Sequence, residues 1–222
     1  MTKKNQKTIF RKTEANKWYL RNYSKKKNFI GKSTLLLADW LYPHRKTIKN
    51  IFEVGCSDGR VLEYLSRSLN AKGFGIDPSK KAISAGSKKY KKNSLKLKLG
   101  TSDKLFVKDS SMDLVHFGFC LVWVERKDYF KSIAEADRIC KTGGFISILD
   151  FDTTNNQKVK YHHKKGLFSY KTDNSSMFLA NNHYSIVNVY SLTNDNFYFD
   201  TNLKNRVKLT LLYKEKDSYL KF

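Results

Sequence analysis

Acidic residues are scarce in this chain. Twenty Asp and Glu stand against 43 Lys and Arg, a formal net charge of +23 over 222 residues. That excess fits an anionic partner: nucleic acid, a phosphorylated sugar or nucleotide-sugar, or an acidic membrane face. It fits equally a solvated lysine surface that goes with a composition rich in Asn, Tyr, Phe and Ile, and it says nothing about fold. Cysteine is scarcer still. Cys56, Cys120 and Cys140 are scattered without C-x-x-C or Cys/His spacing, which argues against metal binding and a disulfide framework and fits a reducing cytoplasm. No apolar run approaches the ~20 residues of a membrane span. Met1–Lys12 is polar and basic without the apolar core of a secretory signal. The expectation is one soluble, cytoplasmic domain with a sizeable core.

What is present centres on Ile51-Phe52-Glu53-Val54-Gly55-Cys56-Ser57-Asp58-Gly59. An apolar stretch runs into a glycine-punctuated turn, and Arg60–Leu65 follows at helical spacing with apolar residues at 61, 62 and 65. This predicts a buried strand, a tight loop and a helix N-terminus, with backbone N–H groups free to meet a ligand and no Cβ at Gly55 or Gly59 to obstruct it. Gly73-Phe74-Gly75-Ile76-Asp77 reads as a second strand ending in a carboxylate. Asp77 lies about twenty residues beyond the loop, where nucleotide-binding βαβ units place the acid that accepts from ribose hydroxyls.

Glu53-Val54-Gly55-Cys56-Ser57-Asp58-Gly59 resembles motif I, E/D-x-G-x-G-x-G, of the class I S-adenosylmethionine-dependent methyltransferases, in the type-11-like small-molecule branch, with Ser57 at the middle glycine. Gly100-Thr101-Ser102-Asp103-Lys104-Leu105 stands where that family has G-D-A-x-x-L. Met112-Asp113-Leu114-Val115 resembles its FDLV strand, and Arg138–Gly144 its R-x-L-K-P-G-G, with Thr142 for proline. A dinucleotide-binding dehydrogenase would want G-x-G-x-x-G instead. The likeness spans about residues 48 to 152. It implies an α/β, Rossmann-like, doubly wound, mostly parallel seven-stranded sheet with an antiparallel last strand, completed by strands near 184–190 and 206–213. It implies S-adenosyl-L-methionine as cofactor, with S-adenosyl-L-homocysteine as product, held by Glu53, Gly55, Cys56, Gly59, Asp77, Pro78, Thr101, Ser102 and Phe117.

The remaining segments are assigned around that domain, 48–222. Residues 1–47 are a basic N-terminal segment: loose or frayed to about 16, then Lys17–Tyr23, then a helix capped by Ser33 and ending near Pro43. In the family an aromatic N-terminal helix often closes over the cofactor, so Tyr19, Arg21 and Tyr23 are the candidates for such a lid. Residues 153–180 are expected to cover the substrate as an insertion before the C-terminal strands. They bring His162 and His163 as candidate general bases for a hydroxyl acceptor, and Tyr170 and Lys171 as substrate contacts, with Lys164 and Lys165 suited to a phosphate or carboxylate. The segment after the fourth strand lacks [DN]-P-P-[FY], the motif of base-nitrogen methylation, and Cys120 lacks the proline setting of a 5-methylcytosine nucleophile.

Three functions remain open: methyl transfer to a hydroxyl or amine of a small or medium, possibly anionic, acceptor such as a sugar, nucleotide-sugar or glycan precursor; RNA modification using the basic surface; and a non-catalytic binding protein that keeps the cofactor fold. Oligomeric state is left open.

Overall fold

The computed structural model describes residues 5–23, 29–91 and 95–216. Lys25–Lys27 and Lys92, four of the chain's 43 basic residues, lie outside these residues. The chain opens with α1 (Gln6–Ile9), a π-helical stretch Phe10–Glu14 and α2 (Ala15–Asn22), forming one continuous helical segment. This corrects the expectation of a loose start: Gln6, Glu14 and Ala15 are buried against the rest of the protein. Next comes α3 (Lys32–Leu41), whose N-cap is Gly31 rather than the predicted Ser33. Ser33 sits inside the first turn and is itself buried.

Strand β1 (Asn50–Val54) leads to α4 (Arg60–Leu69), β2 (Lys72–Asp77), α5 (Lys80–Lys89), β3 (Leu95–Leu99) and β4 (Met112–Gly118). A 3-10 turn at Leu121–Trp123 precedes α6 (Arg126–Ile139) and β5 (Cys140–Phe151). The fifth strand follows α6 directly, Cys140 already pairing with Met112 across an irregularity in the ladder. A small hairpin, β6 (Gln157–Lys160) and β7 (Phe168–Lys171), then α7 (Ser176–Leu179), leads to β8 (Tyr184–Thr193) and β9 (Arg206–Lys214).

The main sheet has the order β3-β2-β1-β4-β5-β9-β8. The first five strands are parallel, and β9 inserts antiparallel between β5 and β8. Alternating side chains feed two cores. On one face Phe52, Val54, Val115, Phe117, Ile146 and Ile148 meet α6 and α7 residues such as Ile133, Ala136 and Phe178. On the other Ile51, Leu114, Phe145 and Leu149 meet Leu37 and Leu41 of α3 and Leu62, Leu65 and Leu69 of α4. The order reverses between β1 and β4, and a doubly wound sheet binds ligands outside the strand ends at such a point.

Candidate functional site

The loop after β1 is held by its neighbour strand. The N–H groups of Gly55 and Cys56 both donate to the Ile76 carbonyl, at 2.8 and 3.0 Å, so the chain turns sharply over the end of β2. Gly55 takes φ +79°, and a Cβ there would meet Cys120 at 3.0 Å. Ser57, at the motif's middle glycine position, is also left-handed at φ 50°, with its buried Oγ unpartnered. Its N–H donates to Asp77 Oδ2 at 2.9 Å, while Ser79 N–H donates to Oδ1 at 2.7 Å. Gly86 of α5 backs the loop so closely that a Cβ would lie 2.3 Å from the Asp58 carbonyl oxygen.

Burial raises the Asp77 carboxyl to about 6, the two N–H donors partly offsetting it. Glu53, buried on β1, goes further. Desolvation raises it to about 8, helped by Asp77 and Asp58 and opposed by a hydrogen bond from the Leu62 backbone, and its Oε2 has no partner. Asp58 and Arg60 form a buried bidentate pair, Nη2 to Oδ2 at 2.6 Å and Nε to Oδ1 at 2.9 Å. The Arg60 guanidinium also lies over the Tyr23 ring, 4.5 Å from its centroid.

A cavity of about 130 Å³ opens along this loop. One side has Gly55, Ser57, Asp77, Pro78, Thr101 and Ser102; the other has Gly118, Phe119, Cys120, Trp123, Glu125 and Asp128, roofed by Phe10, Trp18 and Tyr19 from the N-terminal helix. Among lining residues with formal charge there are four carboxylates, Asp77, Asp103, Glu125 and Asp128, and a single lysine, Lys7. Lys7 is paired with Asp103 and lies 3.7 Å from Asp128, whose Oδ2 is buried without a hydrogen-bond partner. Burial alone would raise Asp103; the hydrogen bonds from Lys7 and Thr101 outweigh it and hold the group below the usual range.

The predicted site residues divide accordingly. Gly55, Asp77, Pro78, Thr101, Ser102 and Tyr19 line the cavity. Glu53, Cys56 and Gly59 support it from beneath: Cys56 is buried under the loop and Gly59 caps α4 against Leu97. Phe117 turns into the core toward Phe178, and Gly118 and Phe119 reach the cavity instead. Arg21 points away, bonding Glu14 and the Tyr161 hydroxyl at 2.5 Å each. Tyr23 packs on Arg60, and burial raises its hydroxyl to about 12. Tyr170 lies under Arg126 and Lys171 over the Phe151 ring, neither lining the cavity. His162 and His163 are exposed in the β6–β7 turn, their rings 3.8 Å apart, also outside the lining.

Sequence reasoning placed Tyr19 at the cavity but missed the polar ties that hold α1 and α2 in place. The Gln6 side-chain amide donates to the carbonyls of Trp123 and Phe168 at 2.8 and 2.9 Å and accepts from Phe168 N–H at 3.0 Å. Asn16 Oδ1 accepts from Ser79 Oγ at 2.9 Å and Lys81 N–H at 3.0 Å, fastening α2 to the first turn of α5. These contacts span 63 to 162 positions and have no local signature.

The site fits S-adenosylmethionine. Asp77, in the lining, has lone pairs left that would suit ribose hydroxyls, the loop at Gly55 leaves room for close approach, and Glu53 lies beneath the loop with one carboxyl oxygen unpartnered. Among the described residues no group of His, Cys, Asp and Glu is arranged to hold a metal, and no helix is long and apolar enough to cross a membrane.

Residues 52–148 match the family described as a methyltransferase domain. No curated protein matches the chain. Among solved structures, the fold is similar to a 1,6-didemethyltoxoflavin-N1-methyltransferase from Burkholderia thailandensis, a structure with bound 1,6-didemethyltoxoflavin and S-adenosylhomocysteine, at TM-score 0.72 and 11% identity over 94% of this chain and 88% of that one. It is similar to a putative sarcosine dimethylglycine methyltransferase from Galdieria sulphuraria, at TM-score 0.65 and 12% identity over 91% and 98%. It is also similar to the [4+2]-cyclase SpnF, at TM-score 0.61 and 13% identity over 81% and 80%.

Proposed function

We propose that this chain, whose residues 52–148 match a methyltransferase domain, works with S-adenosylmethionine and methylates an amine nitrogen of a small or medium-sized acceptor. The observation that carries this reading is the charge of the cavity. In a protein of +23, once Asp77 is given to the cofactor and Asp103 to its pair with Lys7, the lining keeps two carboxylates, Glu125 and Asp128, beside the rings of Phe10 and Trp123, which pack 5.7 Å apart. Acid and aromatic surface together attract a cation and disfavour an anion. An anionic acceptor therefore finds less support here than the overall charge of the sequence suggests.

The cofactor supplies a methyl group already activated on sulfonium sulfur. The chain's residues bind and align. Glu125 and Asp128 hold the ammonium form of the acceptor and accept hydrogen bonds from the neutral form that reacts. As positive charge moves to the nitrogen during transfer, the same carboxylates stabilise it where it develops. A hydroxyl acceptor would need a base near neutral pH, and no histidine lines the cavity. A sugar or nucleotide-sugar fits this reading when it carries an amino group, and the N1-methyltransferase of shared fold is an example of nitrogen chemistry on the same scaffold.

A second reading, RNA modification, is favoured by a shelf at the cavity mouth bearing Lys7, Arg11 and Lys12 beside Pro78 and Gly100. Retention of Glu53 and Asp77 speaks against a non-catalytic role, although the cyclase of the same fold means that fold alone does not decide the reaction.

Calorimetric titration with S-adenosylmethionine and S-adenosylhomocysteine, with NAD as control, comes first. Methyl transfer is then screened over amino sugars, amines, hydroxylated analogues and RNA. Turnover of amines, lowered at least tenfold in Glu125→Gln/Asp128→Asn with cofactor affinity kept, supports the assignment. Turnover confined to hydroxyl or anionic acceptors, or to RNA with a steep salt dependence, overturns it.

A further inference from the structure

Strand β8 forms the outer edge of the sheet beyond β9. Six consecutive residues, Ser185–Tyr190, are exposed, so neither face of the strand is covered there. Ile186, Val187, Val189 and Tyr190 are 40–54% exposed. The Tyr190 hydroxyl donates to the Phe197 carbonyl at 2.7 Å, which brings Phe197, Tyr198 and Phe199, 42–58% exposed, alongside. An uncovered apolar edge of this kind is a template for pairing with another strand.

We propose that this edge is where two copies of the chain meet, β8 pairing antiparallel with its own twofold mate. Charge selects the occupant. Residues 184–193 contain no Lys, Arg, Asp or Glu, although 63 of the 222 residues in the chain are of these types. A negatively charged partner would gain more from the lysine-rich faces. A second copy, itself at +23, is repelled there and can approach closely only where charge is missing. The cations of the adjoining strand β9 are paired with acids of their own: Arg206 with Asp152, Lys208 with Asp173 and Lys214, which also lies over the Tyr184 ring at 5.9 Å, with Asp137.

The geometry suits a twofold. The register of β8 against β9 slips at Val187, between Ile186 and Asn188, so the regular part of the edge runs from Asn188 to Thr193 and a twofold at its centre falls near Tyr190 and Ser191. Four half-exposed aromatic rings and three β-branched residues flank this edge, apolar surface that a second copy would partly cover. Antiparallel pairing would join two seven-stranded sheets into one, with the two cavities opening at opposite edges.

Sedimentation velocity of the full chain over a range of concentrations, at low and high salt, tests this. The expected result is a dimer that tightens as salt screens the repulsion between copies, and whose dissociation constant rises at least tenfold in Val189→Lys. Ile186→Lys, also at an exposed position, serves as the second variant, and unchanged S-adenosylmethionine affinity in both reports that the fold is intact. A monomer at all concentrations, a dimer indifferent to both substitutions, or one that dissociates as salt is raised overturns the proposal.

Discussion

Ser57 and Asp77 are joined by a 2.9 Å hydrogen bond from backbone N–H to carboxylate, so the loop that wraps the cofactor is fixed by the group expected to hold its ribose. The loop and the end of the second strand are thereby tied together. Ser57 accepts left-handed backbone at a position where the family motif has glycine, and its hydroxyl is buried without a partner.

Ser57→Gly is expected to stabilise the protein by about 1 kcal/mol. Relief of the strained φ and of the unpartnered hydroxyl outweighs the added chain entropy of glycine. Urea unfolding checks the stability, and cofactor affinity should fall no more than a fewfold. A loss of stability would mean that the Ser57 hydroxyl finds a partner in solution.

Glu53 should couple cofactor binding to protons. Its carboxyl, raised to about 8 by burial, is largely protonated at neutral pH, and a bound cation favours its ionised form. Binding near pH 7 is then expected to release a proton, and affinity to increase toward pH 8. Titration in buffers of different ionisation enthalpy reads the release directly. Glu53→Gln should abolish it and weaken binding at least tenfold at pH 8.

Without cofactor, stability should decline as pH rises. Glu53, Asp77 and Asp150 are all raised above their unfolded values by burial, to about 8, 6 and 7. Between pH 6 and 8 the folded state therefore binds more protons than the unfolded chain. The stabilising contribution is complete below the unfolded carboxyl range and is lost as pH rises through the folded values. Melting temperatures should fall from pH 6 to 9, and a flat or rising profile would contradict this account of the three carboxyls.

Gly86→Ala tests the helix behind the loop. A Cβ placed 2.3 Å from the Asp58 carbonyl must push the loop or α5 aside. About 1–3 kcal/mol of stability should be lost, and cofactor affinity should fall at least tenfold. Ala at the neighbouring exposed Lys88 is the control and should change neither.

Gln6→Ala should loosen the cover. Three hydrogen bonds to backbone groups of two separate segments disappear, for a loss of about 2 kcal/mol. Hydrogen exchange should rise in residues 6–22 and around Phe168 while the central strands keep their protection.

The loop, Asp77 and the strand–helix alternation were legible because each is a local pattern, with a glycine-bounded turn and an acid at fixed spacing. The count of seven strands and the antiparallel last strand followed from the family resemblance, since strand pairings such as Phe151 with Val207 have no local signal. Formal charge misled about the cavity for a physical reason: Lys80, Lys81, Lys88 and Lys89 of α5 all face solvent, while a minority of acids gathers inside. The adjacent histidines are candidate bases by residue type alone, which carries no sign of where the β6–β7 turn places them; both are exposed there, outside the cavity lining.

The π-helical stretch Phe10–Glu14 fixes the phase of the N-terminal rod. A π turn carries one residue more than an α turn, so removing a residue within it would rotate everything upstream by about 100° relative to α2. Asn16 would stay on α5, while Gln6 and Lys7 would swing away from Trp123 and Asp103. The segment therefore behaves less like a flap of adjustable length than like a key cut to one angle. Insertions and deletions there should be far less tolerated than substitutions.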